Sequence, residues 1–443
     1  MKSQVSRRAF LGASGLVLTG ATFSRYSLAA EGQLYAYVGR STPGFVGAST
    51  GGGIDVFRVN MADGSMQPVG TTGTEVQDLN CDGMCTSVDG RFLYCVNRTT
   101  GLGGVPGMGG GVVAFAINRA DGTLKYLNTQ PSMGGMPVGV RIDKTNSRVV
   151  VGNHGAVSRA VRIERRNGKP VIERPTDDGT VAIYPVGPDG SLGAALDVAV
   201  LDREPAKDYK NPRPVVLGAA AGNQIGAAVH QVTFDQTQRW IIASDNGYDR
   251  IYVYPFSPTS KTLKGKWFQV TTGSAPRHFA VHPSAPYFFI TNEREASASA
   301  FHFDSKTGDV QHVQTIATVV DGQPAPPPAA DGSPRRISPS DIRIHPTGRF
   351  VYTSNRVPGG PDTIAVFAVD ASSGRLTRVE VVETGGAGQR EINVDPSGRF
   401  LFSCNTASND VTVLAIDAAT GKLTRTAAKT TVQRPMVIDF AVL

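Results

Sequence analysis

The chain lacks the features of several common protein classes. No stretch among its 443 residues has the length and apolar period of a long amphipathic helix, which argues against a helical fold. Beyond the first thirty residues, no segment is apolar enough to span a membrane. No metal-binding motif stands out, since the Cys81-x₃-Cys85 spacing has no nearby pair of histidines. We therefore predict neither a bound metal nor another cofactor.

Cysteine is scarce. The four cysteines fit an oxidising compartment without establishing any disulfide. Cys85 and Cys95 are predicted on strands that flank the Val88–Arg91 turn and could face each other, whereas Cys81 and Cys404 have no obvious partner. Buried or paired structural cysteines explain this set better than metal ligands do.

Positive charge is concentrated at one end of the chain. The formal net charge is +7, but Lys2, Arg7, Arg8 and Arg25 lie in the first thirty residues, which contain no acidic group. The remainder therefore carries about +3, which is not the charge of a nucleic-acid-binding protein. We predict no nucleic-acid partner.

The first thirty residues are predicted to be a signal peptide. Ser6-Arg7-Arg8-Ala9-Phe10-Leu11-Gly12 resembles a twin-arginine motif, an apolar region Leu11–Phe23 follows, and cleavage is plausible after Ala29 or Ala30. The alternative is an uncleaved membrane anchor, but the apolar region is too short to span a bilayer comfortably. We expect residues 31–443 to be exported already folded and to be periplasmic or secreted, with no membrane span.

A unit of about fifty residues recurs along the chain and consists of four short apolar strands joined by polar turns. The 51 glycines and 28 prolines suit such turns. Repeats of four short strands are typical of β-propeller blades. The turn and second strand recur as Asp89-Gly90-Arg91-Phe92 leading to Asn97, Thr347-Gly348-Arg349-Phe350 leading to Asn355, and Ser397-Gly398-Arg399-Phe400 leading to Asn405.

Six units are complete, and two fragments at the ends make a seventh. The chain starts at a second strand, Leu34–Val38, and ends at an inner strand, Pro435–Val442. Pairing of these ends would close a ring of seven four-stranded blades without free edges. We predict an all-β, seven-bladed β-propeller over residues 31–443; a β-sandwich or two-domain all-β protein is the alternative. The inner strands of the complete units are predicted near residues 84–88, 138–142, 229–234, 278–282, 340–344 and 390–394.

Three long segments interrupt the repeat. They are Val157–Asp178 in the third blade, Asp202–Ala227 before the fourth, and the proline-rich Gly322–Arg336 between the fifth and sixth. Long loops on a regular scaffold usually border a binding face.

Blade topology should bring polar residues from different blades together. The start of the first strand and the end of the second lie on the same face, so these positions meet around one mouth of the central channel. The opposite face holds turn formers, and His282 and His345 are predicted as turn residues there. The mouth positions are Gly39-Arg40, Asn97-Arg98, Asn153-His154, His230, Asp245-Asn246, Arg277-His278, Asn292-Glu293, Asn355-Arg356 and Gln389-Arg390-Glu391.

Two explanations of these polar residues remain open. The asparagines could cap strand ends, and the charged groups could be ordinary solvated turn residues. Four of them, however, come from three consecutive blades and combine cations with one carboxylate, which suits a small anionic or oxygen-rich ligand. These four are His230, Arg277, Glu293 and Arg356.

Motifs at these positions resemble one family, the seven-bladed propeller lactonases, which include propeller-type 6-phosphogluconolactonases and carboxy-cis,cis-muconate cyclases. The likeness extends over residues 33–443. It is sharpest in Gly273-Ser274-Ala275-Pro276-Arg277-His278-Phe279, Thr291-Asn292-Glu293, Gly348-Arg349-Phe350-Val351-Tyr352-Thr353-Ser354-Asn355-Arg356 and Arg434-Pro435-Met436.

The resemblance implies a small-molecule lactone substrate and assigns the catalytic roles. The family's His entering one blade, Arg of Pro-Arg-His, Glu of Asn-Glu and Arg of Ser-Asn-Arg match His230, Arg277, Glu293 and Arg356. In this hypothesis Glu293 or His230 takes a proton from the attacking water, and the two arginines stabilise charge on the carbonyl oxygen. Residues expected to bind or orient the substrate are His278, Asn292, Arg390, Asp245 and His154.

Departures from the family pattern bear on the substrate. Ala228 stands where relatives often have a second histidine, and Gln389-Arg390 replaces Pro-Arg. Because 6-phosphogluconolactone is a cytoplasmic intermediate, export favours an unphosphorylated sugar lactone or a carboxylated lactone. The alternatives are a muconate-type lactone cycloisomerase and a non-catalytic periplasmic binding or scaffold propeller.

Overall fold

The computed structural model describes residues 32–42, 52–72, 76, 79–104, 107–155, 162–173, 177–202, 226–328, 332 and 335–443. The predicted signal peptide lies outside these described residues, as does most of the segment Asp202–Ala227. Within them the chain forms seven four-stranded antiparallel sheets and one separate two-stranded hairpin. No helix in this part of the chain is long and apolar enough to cross a bilayer; its helical segment is the 3₁₀ turn Leu102–Gly104.

Each four-stranded sheet is one blade, and the predicted all-β, seven-bladed propeller is confirmed. Blade 1 contains β1 (Leu34–Arg40), β2 (Ile54–Val59) and β3 (Met66–Thr71); blade 2 contains β4 (Cys81–Thr86), β5 (Phe92–Asn97), β6 (Gly111–Ile117) and β7 (Leu124–Pro131). Blade 3 contains β8 (Pro137–Ile142) and β9 (Arg148–Asn153), then the inserted hairpin β10 (Arg162–Arg166) and β11 (Lys169–Glu173), then β12 (Thr180–Pro185) and β13 (Asp197–Val200).

The described residues of the remaining blades form four strands in the same order, without an inserted hairpin. Blade 4 contains β14 (Val229–Phe234), β15 (Trp240–Asp245), β16 (Arg250–Pro255) and β17 (Lys266–Gln269); blade 5 contains β18 (Pro276–Val281), β19 (Tyr287–Asn292), β20 (Ser297–Asp304) and β21 (Asp309–Ala317). Blade 6 contains β22 (Ser338–Ile344), β23 (Phe350–Arg356), β24 (Thr363–Val369) and β25 (Leu376–Glu383); blade 7 contains β26 (Gln389–Val394), β27 (Phe400–Asn405), β28 (Asp410–Ile416) and β29 (Leu423–Thr431), and β30 (Pro435–Val442) returns to blade 1.

The ring closes as predicted. β30 pairs antiparallel with β1 in a register from Leu34 opposite Val442 to Gly39 opposite Val437. Gln33 and Leu443 extend this ladder by exchanging backbone hydrogen bonds of 3.0 and 3.1 Å. Each inner strand contacts the inner strands of the blades on either side, including β30 with β4 and β26, so the inner strands surround a central channel.

The core lies between the blades. The buried apolar side chains of the described residues form seven clusters, each shared by two neighbouring sheets. The cluster between blades 7 and 1, for example, packs Phe402 against Phe440 with ring centroids 5.0 Å apart. A blade therefore buries both of its faces only because it has a neighbour on each side.

The strand turns on the face opposite the predicted mouth contribute to packing. Gly348 adopts a φ of +76°, and a Cβ atom there would lie 2.6 Å from Nε2 of His282, so both the backbone conformation and the space require glycine. His282 accepts backbone N–H bonds from Ser284 and Ala285 through Nδ1. His345 likewise bonds Thr347 and the carbonyl of Gly398. Both histidines are turn residues, as predicted.

The expectation that Cys85 and Cys95 face each other is wrong. In the paired strands Cys85 lies opposite Tyr94, and Cys95 lies opposite Met84. This offset of one residue directs the two side chains to opposite faces of the sheet, and they pack in different clusters. All four cysteines are free and buried.

The closing strand can be tested through one buried side chain. Ile438 is 1% exposed within the cluster between blades 7 and 1, so Ile438→Ala should lower the free energy of unfolding by about 3 kcal/mol. Urea unfolding followed by fluorescence measures the loss. The control is Val88→Ala, whose side chain is 69% exposed and should change little. Equal midpoints for the two variants would contradict a stabilising role for the closing strand.

Candidate active site

Irregularities at the start of the inner strands set the positions of the polar residues. The pairing register shifts near the beginning of the innermost pair of strands in every blade. A β-bulge of this kind redirects the side chains of the extra residues. His230 lies between the shifted pairs of β14, Arg277 and His278 between those of β18, and Arg390 between those of β26.

Glu293 is held by cations and an amide from three blades. Its Oε1 lies 3.4 Å from Nε of Arg277 and accepts a hydrogen bond from Nη2 of Arg356, and its Oε2 accepts one from Asn246 at 3.1 Å. Arg356 also donates to Oγ of Ser338 at 2.9 Å. Burial acts to raise the pKa of Glu293, but Arg277 and Arg356 outweigh it and lower the pKa to about 2. The carboxylate is therefore ionised and its lone pairs are engaged.

Arg277 is the most buried member of this cluster. Its side chain is 0% exposed, whereas Glu293 and Arg356 are 24% and 29% exposed. Burial and the neighbouring Arg390 lower the pKa of Arg277 to about 9. Its Nε and Nη2 donors make no hydrogen bond to any residue in the described ranges. Buried donors without acceptors are costly, so Arg277 has unused capacity for a ligand oxygen.

A second cluster of charges lies beside the first. Asp82 accepts hydrogen bonds from Nε and Nη2 of Arg390 at 3.0 and 2.7 Å and from Nη1 of Arg98 at 2.6 Å. Asp82 is 1% exposed. Its burial acts to raise its pKa, but Arg390 and Arg98 lower the pKa to about 2. The Asp82 carboxylate thus binds two guanidinium groups, that of Arg390 from blade 7 through two donors and that of Arg98 from blade 2 through Nη1.

Three histidines line up next to the arginines. The ring centroids of His154 and His230 are 5.4 Å apart, and those of His230 and His278 are 5.1 Å apart. Burial and then Arg98 lower the pKa of His154 to about 4, and burial and then Arg277 lower the pKa of His278 to about 3. Burial and Arg277 also place the pKa of His230 well below its usual value. All three imidazoles are therefore neutral at neutral pH.

Below the histidines, a chain of polar contacts enters the central channel. His278 bonds Nη1 of Arg277 through Nε2 at 3.3 Å and Oδ1 of Asp341 through Nδ1 at 2.7 Å. Arg343 then bridges Asp341 and Glu391 at 3.2 and 3.0 Å. Burial and the nearby Asp341 raise the pKa of Glu391. Glu391, one of the predicted mouth positions, thus lies in the channel rather than among the mouth arginines.

The structure brings together most of the residues selected from the sequence. His154, His230, Arg277, His278, Glu293, Arg356 and Arg390 belong to this connected group. Asn292 instead donates its amide to Ser297 and Ser299 at 2.9 and 2.8 Å. Asp245 accepts backbone N–H bonds from Ala228, Gly247 and Tyr248.

Both of these residues therefore maintain the ends of their strands. Burial raises the pKa of Asp245 to about 6, although its backbone hydrogen bonds and the nearby Arg250 act to lower it. In blade 4 the neighbouring Asn246 provides the contact with Glu293.

The other asparagines explain why strand ends repeat this residue. Asn153 donates to the carbonyl of Ser132 and to Thr180, and Asn355 donates to the carbonyl of Thr318. These contacts tie the end of the second strand to the link that leads into the blade. The strand-capping explanation is thus confirmed for these asparagines, but the arginines that follow some of them take part in the ionic clusters.

Two site residues were missed from the sequence, Asp82 and Asp341. The predicted inner strand of blade 2 began at residue 84, whereas β4 begins at Cys81, so Asp82 was left outside the repeat. Asp341 was inside the predicted inner strand 340–344, one residue past its start, and was not among the predicted mouth positions. Asn80-Cys81-Asp82-Gly83, a polar group next to a predicted inner strand, is the signal that could have revealed Asp82.

The clusters together define the chemistry available at the mouth. Among the described residues, four guanidinium groups face two carboxylates, and the imidazoles are neutral, so positive charge exceeds negative charge within this set. No group of three or more His, Cys, Asp or Glu side chains in the described part of the chain is arranged to hold a metal ion. The mouth can bind oxygen-rich anions, orient a carbonyl oxygen and accept a proton on imidazole.

The chain is similar to proteins named for lactone hydrolysis. It is 26% identical over 397 residues to a 6-phosphogluconolactonase of Bacillus subtilis, covering 90% of this chain and 97% of that one. A 6-phosphogluconolactonase of Formosa agariphila is also 26% identical, over 86% of this chain and 94% of its own. The solved structure of a periplasmic gluconolactonase of Pseudomonas aeruginosa, at 24% identity, has the same fold, with a TM-score of 0.73 over 93% of this chain and 100% of the other.

A family model covers nearly the whole propeller. The model is described as "Lactonase, 7-bladed beta-propeller" and matches residues 35–440, from the first blade strand to the closing strand. The resemblance inferred from the sequence motifs is therefore confirmed. The chain belongs to the seven-bladed β-propeller lactonase family.

Proposed function

We propose that the protein hydrolyses the ester bond of a small, unphosphorylated sugar lactone or carboxylated lactone at this mouth. The observation that carries the proposal is the ionic cluster in which Glu293 and two arginines meet three neutral imidazoles. Membership of the lactonase family supports the reaction class. Residues 31–443 would form the mature enzyme, and it would need no cofactor.

The arginines would stabilise the transition state. Addition of water to a lactone carbonyl places negative charge on the carbonyl oxygen, and fixed donors in a site of low polarity stabilise that charge. Arg356 is partly exposed, and Arg277 has donors that are not engaged by the described residues. A lactone carbonyl bound over these two guanidinium groups would receive hydrogen bonds that strengthen as the charge develops.

A neutral imidazole is a better candidate for the general base than Glu293. Both oxygens of Glu293 already accept hydrogen bonds, and Arg277 lies beside it, so taking a proton would cost these contacts. His230 is neutral, lies between His154 and His278, and its Nδ1 has no hydrogen-bond partner within the described residues. His230 would take a proton from the attacking water and return it to the leaving alkoxide, while Glu293 would orient the arginines.

The charge balance of the mouth supports a substrate with an anionic or hydroxyl-rich group. Among the described residues, Asp82 is shared by Arg98 and Arg390, whose side chains are 14% and 15% exposed. Asp82 engages Nε and Nη2 of Arg390, and the remaining Nη1 of Arg390 would bind a carboxylate or hydroxyl group of the substrate. The proposed export of the protein argues against a phosphorylated cytoplasmic intermediate.

A hydrolysis screen tests the function. Mature protein should acidify a weakly buffered solution of a sugar lactone or a carboxylated lactone, monitored with a pH indicator, faster than the uncatalysed reaction. Arg277→Ala and Glu293→Gln should each lower kcat by about 10²-fold or more, because the oxyanion donor or its orientation is lost. Asn292→Ser, which changes a strand-end contact, is the matched control and should retain most activity.

The screen should include 6-phosphogluconolactone and muconolactones. Hydrolysis and elimination of a muconolactone both form a carboxylate and release acid, but only hydrolysis incorporates a solvent oxygen. Formation of an unsaturated dicarboxylate without oxygen from ¹⁸O-labelled water would favour the cycloisomerase. Absence of turnover on every lactone by a protein with an intact melting transition would refute the proposed function and favour a binding propeller.

The pH dependence tests the state of His230. Burial and Arg277 place its pKa well below 6.5, so the neutral, active form should persist as the pH falls through 6.5. We expect kcat/KM, corrected for uncatalysed hydrolysis, to stay nearly constant from about pH 8 to pH 6.5. Loss of half the activity near pH 6.5 would show that an ordinary histidine controls the rate.

We also propose that residues 1–30 direct twin-arginine export and that the mature protein is periplasmic or secreted. Replacement of both Arg7 and Arg8 by lysine should retain the protein in the cytoplasm of a Gram-negative host, because the export pathway reads the arginine pair. Fractionation and immunoblotting measure the distribution, with Arg25→Lys as the control. Equal export of the two variants would contradict the proposed route.

A further inference from the structure

We propose that His278 and Asp341 are positioning residues that hold the Arg277 guanidinium in its catalytic orientation. This inference rests on the proposed function, in which Arg277 stabilises the carbonyl oxygen. It assigns His278 a role different from the substrate contact expected from the sequence. It also gives Asp341, which no sequence motif indicated, a place in the active site.

The hydrogen bonds determine the tautomer of His278. Burial acts to raise the pKa of Asp341, but Arg343 and His278 outweigh it and the pKa is lowered. Asp341 is therefore an ionised carboxylate, which can only accept hydrogen bonds. Nδ1 of His278, 2.7 Å from Oδ1 of Asp341, must therefore carry the proton. Nε2 is then an acceptor, and it receives Nη1–H of Arg277 at 3.3 Å.

Arg277 needs such an acceptor because few other contacts orient its guanidinium group. The guanidinium is fully buried, and its Nε and Nη2 make no hydrogen bonds to the described residues. The neighbouring charge of Arg390 disfavours its charged form. The contact with Glu293 is a single 3.4 Å approach. His278 thus supplies the hydrogen bond that fixes the plane of the guanidinium.

Asp341 is itself held rigidly. It is 0% exposed, and it accepts backbone N–H bonds from Ile342 at 2.9 Å and Ile392 at 3.0 Å as well as the contact from Arg343. These donors belong to the inner strands β22 and β26, whereas His278 belongs to β18. Through His278 and Asp341, Arg277 is therefore held by the inner strands of three consecutive blades. A neutral imidazole held by a carboxylate has a defined direction as well as a defined tautomer.

Two substitutions of His278 separate positioning from structural support. Glutamine extends about as far as Nε2, so His278→Gln can still accept from Arg277 but loses Asp341. Asparagine extends only as far as Nδ1, so His278→Asn can still donate to Asp341 but leaves Arg277 without its acceptor. We expect His278→Gln to retain kcat within about fivefold and His278→Asn to lose about 10- to 100-fold, the scale of a misplaced catalytic group.

The readouts are kcat, KM and melting temperature on the best lactone from the screen. If His278 positions Arg277, His278→Asn should lose kcat while its KM changes less than threefold. This result should hold even if His278→Asn has a higher melting temperature than His278→Gln. Equal kcat for both variants, or a loss that follows the melting temperature, would overturn the proposal. A change confined to KM would instead make His278 a substrate contact.

The result does not depend on lactonase activity alone. If the wild-type protein hydrolyses no lactone, the proposed function fails, and crystal structures of both variants still test the positioning. The Arg277 guanidinium should keep its approach to Glu293 in His278→Gln and leave it in His278→Asn. The same guanidinium position in both variants would refute the inference.

Discussion

The antiparallel pairing of β1 with β30 is the constraint on which the rest of the structure depends. A blade buries both faces only between two neighbours, so an open array would expose one apolar face at each end. Pairing of the chain's two ends gives every described blade a neighbour on both sides. The same closure fixes the diameter of the channel and hence the approach of His230, Arg277 and Arg390, which come from blades 4, 5 and 7.

The mouth retains a costly arrangement of charges. Arg277 and Asp82 are almost completely buried, and taking an ion out of water costs several kcal/mol unless its partners compensate. Pairing through Glu293 and Asp82 compensates part of this cost, but Arg277 keeps donors without acceptors among the described residues. Such incomplete satisfaction is expected at a functional site rather than in a structural core. The rigid blades supply the stability that permits it.

The fold was predictable because each blade repeats the same physical solution. Turns such as Thr347-Gly348-Arg349-Phe350 and strands that end in asparagine recur at a fixed interval, and the unpaired end fragments required closure. The mouth was predictable for a related reason, since topology alone gathers strand ends. Arg98, Arg277 and Arg356 were selected in this way and lie in the two ionic clusters.

What the sequence could not supply was the direction of individual side chains. A bulge shifts the register by one or more residues without a distinctive motif, so the predicted strand of blade 2 began too late to include Asp82, and Asp341 could not be distinguished from an ordinary strand residue. Asp245 and Asn292 were selected in preference to Asn246, although all three lie at the end of a second strand, because that position does not show which side chain reaches the mouth. Their hydrogen bonds to backbone N–H groups and to serines became evident only in three dimensions. Alternation likewise separated Cys85 from Cys95, which a spacing argument had placed together.

Ring closure also determines when the protein can finish folding during its synthesis. β30 is translated about four hundred residues after β1, so blade 1 lacks its inner strand until β30 has left the ribosome. Until then the apolar edge of β1 and the buried face of blade 7 remain open to solvent or to chaperones. The six other blades can assemble in order as they emerge, but the mouth acquires its final geometry only after β30 has emerged and paired with β1.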